Sequence, residues 1–383
     1  MSSFIPYGRQ WVDDDDVAAV SDVMRSDYLT TGPAVDRFES ALTGATGASH
    51  AVALNSGTSA LHAMYFAAGL GPGDEIITTP LTFAATANAA LYLGATVRFV
   101  DVQEDTGNLD PELIKDAISP RTRLIVPVDF AGHPADYDRI HDVAAEAGVT
   151  VVSDAAHSLG ATYNGRPVGT LAKATELSFH PVKPITTAEG GAVLTDDADL
   201  AARARTFRTH GITREPTDLT TSGEGPWWYE QQFLGFNYRL SDIQAALGYS
   251  QMRKLQRFLA RRRAIAATYM DAFSDLQELI LPTEQAGVES GWHLFVVRVR
   301  TTPSRRRPFF ERLRELGLGV QVHYIPVYFH PYYQQLGYAR GACPVAEDFY
   351  SRAISLPIYP QMSDDDVASS VERVRQAVKE TLA

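Results

Sequence analysis

The sequence predicts an α/β protein: a mostly parallel sheet with helices on both faces, followed by a smaller α+β C-terminal unit. Two observations carry this. Between about residue 50 and residue 200, short β-rich runs alternate with helix-like segments. Strands that alternate with helices pair in parallel and are covered on both faces. Beyond residue 250 the order changes, and one long helical pattern is followed by two strand-like runs. The expected boundary separates a large domain, residues 1–250, from a small one, residues 251–383.

The strand candidates, in order, are HAVAL from His50, EIITT from Glu75, TVRFVDV from Thr96, RLIVPVDF from Arg123, VTVVSD from Val149, ELSFH from Glu176 and GAVLTD from Gly191. Between them lie helical stretches such as SALHAMYFAAGL and DPELIKDAI. The second opens with Asp110 as N-cap and Pro111 in the first turn, where its missing N–H costs nothing. Residues 213–226 are polar and rich in Gly and Pro, and read as a loop. From Met252, the residues Leu255, Phe258, Leu259, Ile265, Tyr269, Met270 and Phe273 recur near helical spacing. The C-terminal strands are expected in WHLFVVRV and GVQVHYIPV.

The chain has 383 residues, 45% apolar and 21% charged, with a net charge of −12. An acidic balance argues against a nucleic-acid surface, which needs clustered basic excess. The arginine runs Arg261–Arg263 and Arg305–Arg307 lie in or beside apparent helices and read as solvated helix faces. One cysteine, Cys343, excludes an intramolecular disulfide. The N-terminus lacks the basic and apolar regions of a signal peptide, and no apolar run approaches the ~18 residues of a membrane span. A cytoplasmic protein is expected, with no membrane partner and no metal site.

Three pieces carry chemistry. The first is VALNSGTSALHAM, a strand running through Ser56, Gly57 and Thr58 into a helix. Free N–H groups at a helix start attract anions, and a glycine permits close approach; read alone, the piece is also an ordinary cap. The second is VTVVSDAAHSLG, with Asp154 at the carboxyl end of an apolar strand and His157 three residues on. Here too a cap is an alternative. The third is Lys183, between two prolines and about thirty residues after Asp154. Only five lysines stand against 29 arginines, and this one sits in a constrained loop rather than on a helix face. Phosphate cup, aspartate and lysine, in that order, are what pyridoxal 5'-phosphate requires. The aspartate keeps the pyridine nitrogen protonated so that the ring withdraws electrons, while the lysine bonds the aldehyde and moves a proton.

The stretches YGRQWVDDDDVAAV, SDYLTTGPAVDRFE, LNSGTSALH, DAAHSLGATYNGRPVG, SFHPVKPITTAEGG, GFNYRLSDIQAALG and VHYIPV resemble those of the DegT/StrS-type nucleotide-sugar aminotransferases over essentially the whole chain. IPYGRQW, FHPVKPITT, GPWWYEQQFLGFNYR and HYIPVYFHPYY are similar to the members that serve pseudaminic acid synthesis. Those form UDP-4-amino-4,6-dideoxy-N-acetyl-β-L-altrosamine from a 4-keto sugar, with glutamate as donor. The resemblance implies an aspartate-aminotransferase-like fold, pyridoxal phosphate fold type I. It makes Lys183 the catalytic lysine and Asp154 the partner of the pyridine nitrogen. His157 is placed near the ring hydroxyl, Phe83 on the ring face, and Ser178 with Gly57 and Thr58 on the phosphate. Asn237 is implied to reach the phosphate of a neighbouring subunit in a homodimer. Tyr7, Thr30, Thr31, Gly32, His323 and Tyr324 are implied to form the substrate wall; for these, and for Phe83, a packing role is the alternative.

The family commonly has a glycine where this chain has Ala188, which would strain the loop if that position uses φ > 0. Other acceptors stay open, among them a dTDP-linked keto sugar or a keto-cyclitol. A sugar 3-dehydratase is disfavoured, because those replace the lysine with histidine. A non-catalytic regulator of the same fold is disfavoured by the joint presence of Lys183, Asp154 and the phosphate cup.

Overall fold

The computed structural model describes residues 4–221 and 223–382. The first half contains α1 (Asp14–Met24), α2 (Pro33–Thr46), β1 (His50–Leu54), α3 (Gly57–Ala67), β2 (Glu75–Thr78), α4 (Ala85–Tyr92), β3 (Thr96–Phe99), α5 (Pro111–Ala117), β4 (Thr122–Val126), α6 (Tyr137–Ala147), β5 (Thr150–Val151) and β6 (Ser153–Asp154). The hairpin β7 (Thr162–Tyr163) and β8 (Arg166–Pro167) precedes β9 (Ala174–Ser178), β10 (Gly191–Thr195) and α7 (Ala198–Phe207).

β5 and β6 are one strand interrupted at Val152, and they join two ladders of order β3-β2-β4-β5 and β6-β9-β10-β1 into a single sheet. All neighbours are parallel except β10, which runs antiparallel to both β9 and β1. Alternation along the strands feeds two cores. In β1, Val52 and Leu54 enter one core with α3, α4 and α7, whereas Ala51 and Ala53 enter the other with α2, α6 and α8 (Asp242–Met252). A strand buried on both faces reads as an unbroken apolar run, which is why these strands are visible in the sequence.

β11 (Ile212–Thr213) and β12 (Glu230–Gln231) pair as a hairpin around the polar loop. The long helical pattern breaks at Arg253 and Lys254, so that α8 ends and α9 (Leu255–Ala272) begins. Leu255 and Leu259 of α9 pack in a core of the large sheet, while Ile265, Tyr269 and Phe273 pack in a third core. That third core is built on an antiparallel ladder of β13 (Leu279–Ile280), β15 (Phe295–Val299) and β16 (Ala353–Leu356), the order being β13-β15-β16; β14 (Val288–Glu289) pairs instead with β7. Ile5 also belongs to it and bridges Leu318.

Two expectations are corrected here. GVQVHYIPV does not form a ladder strand; only Gln321 bridges Ser355, and the segment then turns toward the cavity described below. The strand beside β15 is β16 instead. The Arg261–Arg263 run is not a solvated face either. Arg262 is 1% exposed and donates from its guanidinium to the carbonyls of Trp292 (3.3 Å), His293 (3.2 Å), Ile358 (2.9 Å) and Val182 (3.4 Å). Burial lowers it to about 10.

Candidate active site

The carboxyl ends of β1, β6 and β9 open into a cavity of about 470 Å³ lined on the other side by residues of the C-terminal half. In an open α/β sheet this is where ligands bind. The first wall is the start of α3. Ser56 caps it in a reciprocal box with Ser59, leaving the first-turn N–H groups of Gly57 and Thr58 ahead of the first intrahelical bond. A Cβ on Gly57 would lie 2.7 Å from Glu176 Oε1 and 3.1 Å from Ser178 Oγ. The glycine is required for space, since only a bare Cα fits between this turn and β9.

The floor is Asp154, 5% exposed at the end of β6. Its Oδ1 accepts from the Ala156 N–H at 3.1 Å, and its Oδ2 accepts from Thr86 Oγ1 at 2.6 Å. Thr82 and Thr86 lie 2.7 Å apart, hydroxyl to hydroxyl. Because Thr86 gives its proton to the carboxylate, Thr82 is the donor of that second bond. Both threonines escaped sequence reading; PLTFAATAN offered Phe83, with the donors hidden on either side of it.

Lys183 enters from the loop after β9, its own N–H bonded to the His180 carbonyl at 2.9 Å. Burial pushes its amine down to about 8, against the opposing pull of the Asp154 and Glu176 carboxyls. The Arg262 contact to Val182 ties this loop to α9. Ala188, five residues on, has φ +66°, so the position does use the left-handed region that favours glycine.

His157, 5% exposed, lies 3.0 Å through Nε2 from the Tyr324 hydroxyl, and its ring is 4.4 Å from that of His293. Nδ1 of His157 and Nδ1 of His293 have no partner among the described residues. Burial, with help from the Lys183 charge, holds both rings well below the ordinary histidine range, so they are neutral. His323 bonds Ser355 Oγ at 2.8 Å and is pushed down to about 4 by burial; burial raises Tyr7 and Tyr324.

The cavity thus brings together Tyr7, Gly57, Thr58, Phe83, Asp154, His157, Ser178, Lys183, His323 and Tyr324. Thr30, Thr31 and Gly32 are not among its lining residues. They precede α2, where the Gly32 N–H donates to Asp242 Oδ2 at 2.8 Å. Asn237 is exposed beside Asn55, whose side chain donates to its carbonyl at 3.4 Å. Glu176 and His293 line the cavity without having been anticipated.

The family model for the DegT/DnrJ/EryC1/StrS aminotransferases matches residues 10–375. The chain belongs to this family. It is 41% identical over 380 residues to the spore coat polysaccharide biosynthesis protein SpsC of Bacillus subtilis, covering 98% of this chain and 97% of SpsC. Helicobacter pylori PseC, an aminotransferase involved in the biosynthesis of pseudoaminic acid, superposes with a TM-score of 0.92 at 34% identity, covering 99% of this chain and 100% of that one. The sugar aminotransferase Spr1654 of Streptococcus pneumoniae, in its pyridoxal phosphate form, superposes with a TM-score of 0.93 at 30% identity, again covering 99% and 100%. The protein is a sugar aminotransferase with the fold type I architecture, and its cofactor is pyridoxal phosphate. The cavity fits that group: free N–H groups at a helix start, a buried carboxylate below, a half-buried amine beside it, and orphaned, buried imidazole nitrogens in the wall.

Proposed function

We propose that the enzyme transfers an amino group from glutamate to the 4-keto carbon of a UDP-linked 4-keto-6-deoxy-2-acetamido sugar. The observation that carries the amino-transfer half is the meeting of the Lys183 amine and the buried Asp154 carboxylate in one cavity. The sugar half is supported by the likeness to PseC and SpsC. When bound, pyridoxal phosphate supplies an electron sink for the carbon that loses its proton.

The chain's own residues do the rest. Asp154, aligned by Thr86 and the Ala156 N–H, would hold the pyridine nitrogen, and the N–H groups of Gly57 and Thr58 with Ser178 Oγ would hold the phosphate. Phe83 would cover the ring, and His157, which the Tyr324 hydroxyl contacts at 3.0 Å, would serve its hydroxyl. Lys183 removes and returns the proton; an amine lowered to about 8 is in part uncharged near neutrality, as a base must be. Tyr7, His323 and Tyr324 face the sugar.

The working unit in this proposal is a homodimer, with Asn237 reaching the partner's phosphate. Leu234 (77% exposed) and Phe236 (37% exposed), just before Asn237, form an apolar strip in need of cover. A cytoplasmic location is part of the same reading. The test is a panel of UDP- and dTDP-linked keto sugars and keto-cyclitols offered with glutamate, the products identified by mass spectrometry and NMR. Turnover of a UDP-linked 4-keto-6-deoxy-2-acetamido sugar of altrose-type configuration is expected. Activity confined to dTDP-sugars or cyclitols overturns the substrate assignment.

A further inference from the structure

Glu176 is a cavity-lining group that the chemistry above leaves idle. It stands in β9, two residues before Ser178 and so on the same face of the strand. In the parallel ladder it lies directly opposite Asp154. Its side chain is 1% exposed, and neither carboxyl oxygen has a hydrogen-bond partner among the described residues. Oε1 lies 2.7 Å from where a Gly57 Cβ would stand, directly under the first turn of α3. A buried carboxyl with no partner is costly, which marks it as waiting for one.

We propose that Glu176 is a fourth phosphate-binding element, a neutral carboxylic acid whose O–H donates to the cofactor's phosphate beside the Gly57–Thr58 turn and Ser178. This rests on the pyridoxal phosphate site described above. The alternative, an ionised Glu176, would place a third negative charge between Asp154 and the phosphate, and like charges at that distance do not both stay ionised. The groups that face Glu176 set the balance. Burial and Asp154 on β6 raise it well above the ordinary carboxyl range, and Lys183 from the loop after β9 pulls the other way. Tyr65 on α3, itself raised by burial, is uncharged and takes no part in the balance. The proton is therefore in place before the phosphate arrives, and Glu176 adds a hydrogen bond to the anion instead of a repulsion.

Binding of pyridoxamine 5'-phosphate and of inorganic phosphate to the cofactor-free full-length protein tests this, by calorimetry between pH 6.5 and pH 9.5. Pyridoxamine phosphate carries no aldehyde, so Lys183 cannot capture it covalently. E176Q, neutral and still a donor, should bind both probes within about threefold of wild type at pH 7. It should then gain on wild type as the pH rises and Glu176 ionises. E176L, which lacks a donor, should lose about tenfold for both probes. E176Q binding tenfold tighter at pH 7 would show a charged Glu176 and overturn the proposal. So would E176Q as weak as E176L, E176L equal to wild type, or a loss seen with pyridoxamine phosphate but not with inorganic phosphate. Should E176L fail to fold, the E176Q comparison decides alone. A wild-type protein that binds no pyridoxamine phosphate overturns the cofactor site itself, an outcome distinct from any difference between the variants.

Discussion

Thr86 Oγ1 donates a 2.6 Å hydrogen bond to Asp154 Oδ2, and this bond fixes the direction of the carboxylate at the floor of the cavity. A charge-assisted bond of this length is stronger than a neutral one, and its loss leaves a buried carboxylate short of a donor. Thr86→Val should weaken pyridoxal phosphate binding by about tenfold, whereas Thr86→Ser should stay close to wild type. Cofactor titration of the dialysed proteins measures both; equal affinity in the valine variant would remove Thr86 from the site.

Lys183→Ala should still bind cofactor through the phosphate turn and Asp154, yet transaminate several orders of magnitude more slowly. The covalent partner and the positioned base are lost together. Lys173→Ala is the control: its amine is half exposed and pairs with Asp197 at 3.1 Å, far from any role in the cavity. Single-turnover rates with glutamate separate the two. Similar rates in the two variants would sink the assignment of Lys183.

If Asn237 serves the neighbouring subunit, Lys183→Ala and Asn237→Ala chains should complement each other. In a mixed dimer one site collects both lesions, and the other has an intact lysine and an intact asparagine. Doubly tagged, co-expressed dimers should therefore recover up to roughly half of wild-type activity by two-fold symmetry. No recovery from two nearly inactive parents would place Asn237 in its own chain's site or outside any site.

Ala188→Gly should stabilise the protein by about 1 kcal/mol, because the alanine is held at φ +66°. Its N–H bond to Thr186 Oγ1, 2.9 Å long, does not depend on the side chain. A thermal melt of the cofactor-free protein reads this; a lower melting temperature in the glycine variant would show that the methyl group packs usefully.

Much of this was legible in the sequence, for a definite reason. Strands such as HAVAL and GAVLTD are buried on both faces, so their composition alone betrays them. Lys183 stood out through its flanking prolines, and Ala188 through its departure from a glycine. What stayed hidden lacks a local signature. Thr86, Glu176 and His293 are single polar residues whose meaning comes from cavity neighbours distant in the chain. GVQVHYIPV carries the alternation of a strand, but His323 and Tyr324 turn to line the cavity, and the short run Ala353–Leu356 takes the place beside β15. Arg262 looked like one of three surface charges because helical phase over so short a run does not separate an inward guanidinium from its neighbours.

α9 carries a thermodynamic consequence. Leu255 and Leu259 anchor its first half in one hydrophobic core, and Ile265, Tyr269 and Phe273 anchor its second half in another. Neither unit can melt without stripping the other of a helix, and uncoiling half of a helix leaves frayed carbonyls and N–H groups in the remainder. The two cores are thus wired in series, so heat should dissolve them in a single step in which calorimetric and van 't Hoff enthalpies agree. A glycine pair at the midpoint of that helix would be the way to cut the wire and split the transition in two.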